Sequence, residues 1–148
     1  MFDTPIYIVY VKYMLVALVS AFILFSCAKN SFDLSRCHRI PAKESREIIL
    51  QMDVAGLTGI RYIMAVESTD VDFWFVAMDL EGAGLESPTD VAVWAVKQIA
   101  PFQGPLIPVD ELAIRHSAQT STAQEVQFAP GTDGIADAVR CTRYISAQ

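Results

Sequence analysis

The stretch Val71-Asp-Phe-Trp-Phe-Val-Ala-Met-Asp-Leu80 decides the fold that we predict for this chain. Its β-branched and aromatic residues favour a strand, and the side chains of a strand point alternately to its two faces. One face would carry Phe73, Phe75, Ala77 and Asp79, and the other Trp74, Val76, Met78 and Leu80. Because both sets are largely apolar, the pattern predicts a central strand that is covered on both sides.

Neighbouring segments extend this strand into a small antiparallel sheet. Residues 60–67 form another apolar run, and the short polar link at 68–70 predicts a hairpin. Residues 90–98 are ambiguous, because 87–90 resembles a capped helix start whereas the valines that follow favour a strand, which we prefer. Residues 104–109 predict a short edge strand, since their prolines cannot donate to a ladder.

Three helices flank these strands. Pro41 suits the first turn of a helix over 42–54, which Gly56 and Gly59 would end. Asp110 can cap a second helix over 111–118, and a polar loop follows at 119–124.

The last helix would begin at a cap formed by Thr132 or Asp133 and run to about Tyr144. The predicted fold class is therefore α+β, with a small antiparallel sheet of three to four strands preceded by one helix and followed by two helices. We expect residues 41–148 to form this single domain, residues 27–40 to be a tether, and residues 1–26 to be a signal peptide or membrane anchor.

The apolar block before the tether supports this division. Between Lys12 and Cys27 lie fourteen mostly apolar residues, which fits the core of a signal peptide better than the ~20 residues of a membrane span. An uncleaved anchor helix remains open, but it would need residues 6–26 and would bury Lys12 in the hydrocarbon.

The block ends in Leu24-Phe-Ser-Cys27, which resembles the lipobox of bacterial lipoproteins. The resemblance implies that Cys27 is acylated and becomes the first residue, so that the domain is lipid-anchored at the cell membrane and faces outside the cytoplasm. The domain itself looks like small uncharacterised membrane-anchored proteins of Gram-positive bacteria. This resemblance rests on four features of the sequence, namely Asp72–Asp79, Val93-Trp-Ala95, Pro108-Val-Asp110 and a cysteine near the C-terminal end, Cys141. That second resemblance implies no activity.

The chain has three cysteines, and an odd count in an exported protein leaves one thiol to explain. Lipidation of Cys27 would explain it, and Cys37 and Cys141 could then form a disulfide. The alternative is two unrelated buried thiols. No C-x-x-C spacing is present, so the sequence supports neither a zinc knuckle nor a redox site.

Charge and motifs narrow the function classes. The formal net charge of −6 argues against a nucleic-acid partner, because phosphate binding depends on Lys and Arg. The sequence contains no G-x-S-x-G, dinucleotide or P-loop motif, and it predicts no catalytic, cofactor-binding or metal-binding residues. The acidic groups Glu67, Asp70, Asp72 and Asp79, Glu81, Glu86 are more typical of solvated turns than of a calcium site.

The sequence thus favours a membrane-tethered exported domain that binds an envelope protein or a small ligand without catalysis. The alternative is an envelope hydrolase that uses Asp79, Glu81 or a histidine, His38 or His116, for acid/base chemistry. A purely structural lipoprotein is a third possibility.

Overall fold

A computed structural model describes residues 32–118, 126–129 and 131–148 of the chain. The predicted leader, the lipidation site at Cys27 and the polar loop at 119–124 lie outside the described residues.

The described part of the chain has an α+β fold built on one antiparallel sheet, as the sequence predicts. The sheet has five strands that lie side by side in chain order. These strands are β1 (His38–Arg39), β2 (Leu57–Glu67), β3 (Trp74–Gly82), β4 (Val91–Val96) and β5 (Ile107–Pro108). Three α-helices accompany them, namely α1 (Ala42–Ile49), α2 (Glu111–Arg115) and α3 (Ile135–Ser146). A short 3-10 helix, Leu34–Arg36, precedes β1.

The expected count of three to four strands is wrong, because β1 adds an edge strand inside the range 27–40. His38 pairs with Ala65 and Arg39 with Met64 on β2. The two residues of β1 are polar and exposed, and two residues are too few to show the alternation of a strand. Their pairing therefore depends on the backbone edge of β2. The helix order also fits only in part, since α1 lies between β1 and β2.

The hairpin of β2 and β3 is present, but its ends differ from those predicted. Glu67 pairs with Trp74, so six residues form the link. Within the link, the Ser68 hydroxyl accepts hydrogen bonds from the backbone N–H groups of Asp70 and Val71. These bonds give the backbone an alternative to the ladder, which is why Val71 lies outside β3.

Strand β3 is central and covered on both faces, which confirms the interpretation of its sequence. Phe75 to Met78 and Leu80 are fully buried. The face of Val76 and Met78 packs with Trp94 against α1 and α2, whereas the face of Phe75 packs against α3. The described domain therefore has three layers, with helices on both sides of the sheet.

The ambiguous segment at 90–98 and the short edge segment at 104–109 both contain strands, as predicted. Residues 91–96 form β4, every residue of which is buried, and residues 107–108 form β5 at the other edge. Asp110 caps α2 as predicted, because its carboxylate accepts from the backbone N–H of Ala113 at 2.7 Å.

The cap predicted for the last helix is wrong. The N-cap of α3 is Gly134, not Thr132 or Asp133, and it has a φ of +93°. A side chain at this position would be strained, and its Cβ would lie 3.0 Å from the ring of Phe75. The Asp133 carboxylate is bonded to Arg36 and Thr69 instead. Helix α1 also ends at Ile49, earlier than residue 54.

Candidate functional site

A disulfide joins the start of the described domain to its last helix. Cys37 and Cys141 are bonded, with their Cα atoms 5.6 Å apart and a separation of 104 positions in sequence. Cys37 directly follows the 3-10 helix, and Cys141 is fully buried on the sheet-facing side of α3. The crosslink predicted from cysteine counting is confirmed.

Beside the disulfide, Arg36 ties three segments together. Its guanidinium donates to both carboxylate oxygens of Asp133, at 2.9 and 2.6 Å, and to Asp137 at 2.8 Å. It also donates to the backbone carbonyl of Glu67 at 2.9 Å, and Thr69 donates to Asp133 from its backbone N–H and its hydroxyl. The domain start, the hairpin link and the approach to α3 therefore meet at one side chain.

This network changes two ionisation equilibria. The hydrogen bond with Arg36, assisted by those from Thr69, holds the pKa of Asp133 well below its usual range. The same bond raises the pKa of Arg36. Both charges are thus fixed at neutral pH, and Asp133 is a poor proton donor or acceptor there. The sequence pattern indicated Asp133 only as a possible helix cap. No local pattern could indicate its partner Arg36, which lies 97 positions away in sequence.

A hollow of about 270 Å³ opens next to Arg36, at the end of the sheet where β1 meets β2. Six residues line it: Ser35, Arg36, His38, Glu67, Ser68 and Thr69. His38 pairs with Ala65, two residues before Glu67 on β2, so the side chains of His38 and Glu67 lie on the same face as diagonal neighbours. The His38 ring packs edge-on against Trp74, with the ring centroids 5.2 Å apart.

Three side chains of the hollow have unused polar atoms. Within the part of the chain that the structure describes, the His38 imidazole and the Glu67 carboxylate make no side-chain hydrogen bond or ion pair. The Ser35 hydroxyl donates to the Asp33 carboxylate, and this bond lowers the pKa of Asp33, but the hydroxyl oxygen can still accept a further bond. Arg36 differs from them, because Asp133, Asp137 and a carbonyl already occupy its terminal N–H groups. The hollow can therefore offer a hydroxyl, an imidazole and a carboxylate to a ligand.

The acidic residues of the hairpin link have separate partners. Asp70 accepts from the backbone N–H of Asp133 at 3.1 Å, and Asp72 lies 3.2 Å from the Lys97 ammonium group. Glu67 faces the hollow. Among residues 32–118, 126–129 and 131–148, no three His, Cys, Asp or Glu side chains form a group that could hold a metal ion.

The carboxylates that we considered for a hydrolase do not line the hollow. Asp79 is fully buried, and its Oδ2 accepts from Ser87 at 2.7 Å and from Ser146 at 2.6 Å. Its Oδ1 has no hydrogen-bond partner among the described residues. Glu81 is more exposed and pairs with Arg61 at 2.6 Å. Asp79 therefore links the β3–β4 loop to the last turn of α3, and Glu81 stabilises the β2–β3 pair.

Trp94 and the second candidate histidine, His116, lie near α2. Trp94 is fully buried and donates from its indole N–H to Ser117 at 3.0 Å, so it is a core residue. The Nδ1 atom of His116 lies 3.3 Å from the backbone oxygen of Asp53. The structure thus brings His38, but not His116, into the hollow.

Among the described residues, no helix has the length and apolar character needed to cross a membrane. No protein-family model matches this chain, and no curated protein or solved structure matches it.

Proposed function

We propose that this chain is an exported protein, tethered to the membrane by its N-terminal segment, whose α+β domain binds an envelope protein or a small ligand without catalysing a reaction. The observation that carries this proposal is the Cys37–Cys141 disulfide. Disulfides form and persist in oxidising compartments and are rare in the cytoplasm. The lipobox-like sequence that ends at Cys27 supplies the means of attachment.

The hollow beside the disulfide supports binding rather than catalysis. The group with the strongly lowered pKa, Asp133, does not line the hollow but lies behind Arg36, with which it forms an ion pair, and it is ionised at neutral pH. A general acid or base needs a pKa near the working pH, so this shift does not serve proton transfer. The side chains of His38 and Glu67, which have no partner among the described residues, and the hydroxyl oxygen of Ser35 leave polar atoms free for a ligand.

Two measurements on the full-length chain in a bacterial host test export. Alkylation of intact cells with a thiol reagent should leave Cys37 and Cys141 unmodified until a reductant is added. Protease added to cells whose wall or outer membrane has been removed, with the cytoplasmic membrane intact, should digest the domain. A variant that lacks residues 2–26 is the control, and it should be protected from protease. Reactive thiols together with a protected full-length domain would contradict the proposal.

One observation favours the hydrolase alternative in a revised form. His38 and Glu67 lie on the same face of the sheet and line the same hollow, so an imidazole and a carboxylate are available together. Turnover of 4-nitrophenyl esters or of purified cell-wall fragments would reveal such an activity. If His38→Ala and Glu67→Gln abolish turnover while Arg39→Ala keeps it, the domain is an enzyme and the binding proposal is wrong.

A further inference from the structure

We infer that the hollow beside Arg36 receives a primary ammonium group, either of a small free amine or of a lysine side chain on an envelope protein. This inference deepens the proposed binding function and rests on it. It uses the lining residues Ser35, His38 and Glu67 and the ion pairs behind them.

The free polar groups of the hollow match the donors of an ammonium ion. An ammonium group carries three N–H donors and no acceptor. The hollow offers the Glu67 carboxylate, the hydroxyl oxygen of Ser35 and a ring nitrogen of His38 as acceptors. The edge contact with Trp74 restrains the His38 ring before a ligand arrives, and this reduces the entropy lost on binding.

The charges around the hollow select against an anion. Arg36 is paired with Asp133 and Asp137, and Arg140 lies 3.7 Å from Asp137. The Asp33 carboxylate also acts on Arg36, so three carboxylates surround these two guanidinium groups. Glu67 remains without a cationic partner among the described residues. An anionic ligand would face this carboxylate and would find the Arg36 terminal N–H groups already occupied.

The size and exposure of the hollow set the affinity and the kind of ligand. Its volume of about 270 Å³ lies just below the ~300–1,000 Å³ of pockets for drug-sized molecules, so it suits the end of a flexible amine. Ser35, His38 and Glu67 are all exposed, and solvent weakens an ion pair at such a site. We therefore expect a dissociation constant on the order of 1 mM for an isolated amine.

The test titrates the full-length protein in detergent with defined probes, followed by NMR shifts. Nα-acetyl-lysine-methylamide carries the ammonium group, its norleucine counterpart lacks it, ethanolamine represents a free amine, and acetate represents an anion. We expect the lysine probe to bind about tenfold more tightly than the norleucine probe. We expect Glu67→Gln to remove that difference and His38→Ala to weaken binding severalfold.

Arg39→Ala is the matched control, because Arg39 follows His38 on β1 and points to the opposite face. It should leave the affinity unchanged. Equal binding of the lysine and norleucine probes, tighter binding of acetate, or no effect of Glu67→Gln in a folded variant would each overturn the inference. Circular dichroism and the unfolding midpoint establish that the variant is folded.

The two sources of the ammonium group are separated by comparing ethanolamine with the lysine probe. Tighter binding of ethanolamine supports a free amine, and tighter binding of the lysine probe supports a protein side chain. The broader proposal fails on different evidence, namely reduced thiols and a protected domain in the export experiment. If an envelope protein binds but Glu67→Gln does not weaken it, the binding function stands and the ammonium site is wrong.

Discussion

The Arg36 guanidinium lies 2.6 Å from the Asp133 carboxylate, one residue before the Cys37–Cys141 disulfide. Two adjacent residues at the start of the domain are thus connected to the end of the chain. Arg36 forms an ion pair just before the last helix, and Cys37 forms a covalent bond within it. The pKa of Asp133 is lowered in the folded protein, chiefly by the hydrogen bond from Arg36. The unfolded chain therefore binds more protons than the folded one at acidic pH.

Folding stability should consequently depend on pH through Asp133. The contribution of its carboxylate is fully present well above the ordinary Asp pKa of about 3.9, and it is lost as the pH falls below that value. Asp133→Asn should lower the free energy of unfolding by about 1 to 3 kcal/mol at pH 7 and flatten its fall between about pH 5 and pH 2. Urea titrations at several pH values measure both effects.

Asp72→Asn is the control for this prediction. Asp72 also pairs with a basic residue, Lys97, but its side chain is 94% exposed. An exposed pair contributes about 0 to 1 kcal/mol, so this variant should keep the pH profile of the parent protein. Identical profiles for Asp133→Asn and the parent would show that the Arg36 pair does not stabilise the fold.

Removing the disulfide should destabilise the domain strongly. The bond closes a loop of 104 residues, for which chain-entropy theory gives roughly 4.7 kcal/mol. We expect the double variant Cys37→Ala/Cys141→Ala to lose about 2 to 5 kcal/mol in urea unfolding. Cys27→Ser leaves this bond in place and should unfold like the parent. A loss below about 1 kcal/mol would mean that the crosslink hardly restrains the unfolded chain.

The core of the α3-side layer depends on Phe75. This side chain is fully buried, and its ring lies 5.2 Å from that of Phe128. Phe75→Ala should cost about 3 to 5 kcal/mol, because it removes apolar contacts and leaves a cavity. Tyr144→Ala, at a position that is 46% exposed, should change stability by only about 0.5 kcal/mol. Similar costs for the two variants would contradict the layered packing.

Membrane attachment is tested at Cys27. Metabolic labelling with a fatty-acid analogue should mark the full-length protein, and the mark should disappear in Cys27→Ser. Cys37→Ala/Cys141→Ala should still be labelled, since its lipobox-like sequence is intact. A labelled Cys27→Ser variant, or a mature protein whose mass includes Met1, would mean that the lipobox interpretation is wrong.

Local patterns were sufficient to predict the centre of the sheet, the start of helix α2 and the disulfide. Apolar residues occupy both phases of the run from Phe73 to Leu80, and burial on both faces follows directly from the alternation of a strand. The Asp110 cap and the Cys37–Cys141 pair were predictable for similar reasons. A cap bonds within three residues, and a disulfide leaves its mark in the cysteine count.

The sequence by itself thus determined the elements whose cause lies in neighbouring residues, and tertiary structure decided the rest. Strand β1 exists because the edge of β2 accepts two polar residues, and Gly134 begins α3 because Phe75 leaves no room for a side chain there. The hollow is the clearest case. His38 and Glu67 are 29 positions apart in sequence, and only the pairing of β1 with β2 brings their side chains to one site.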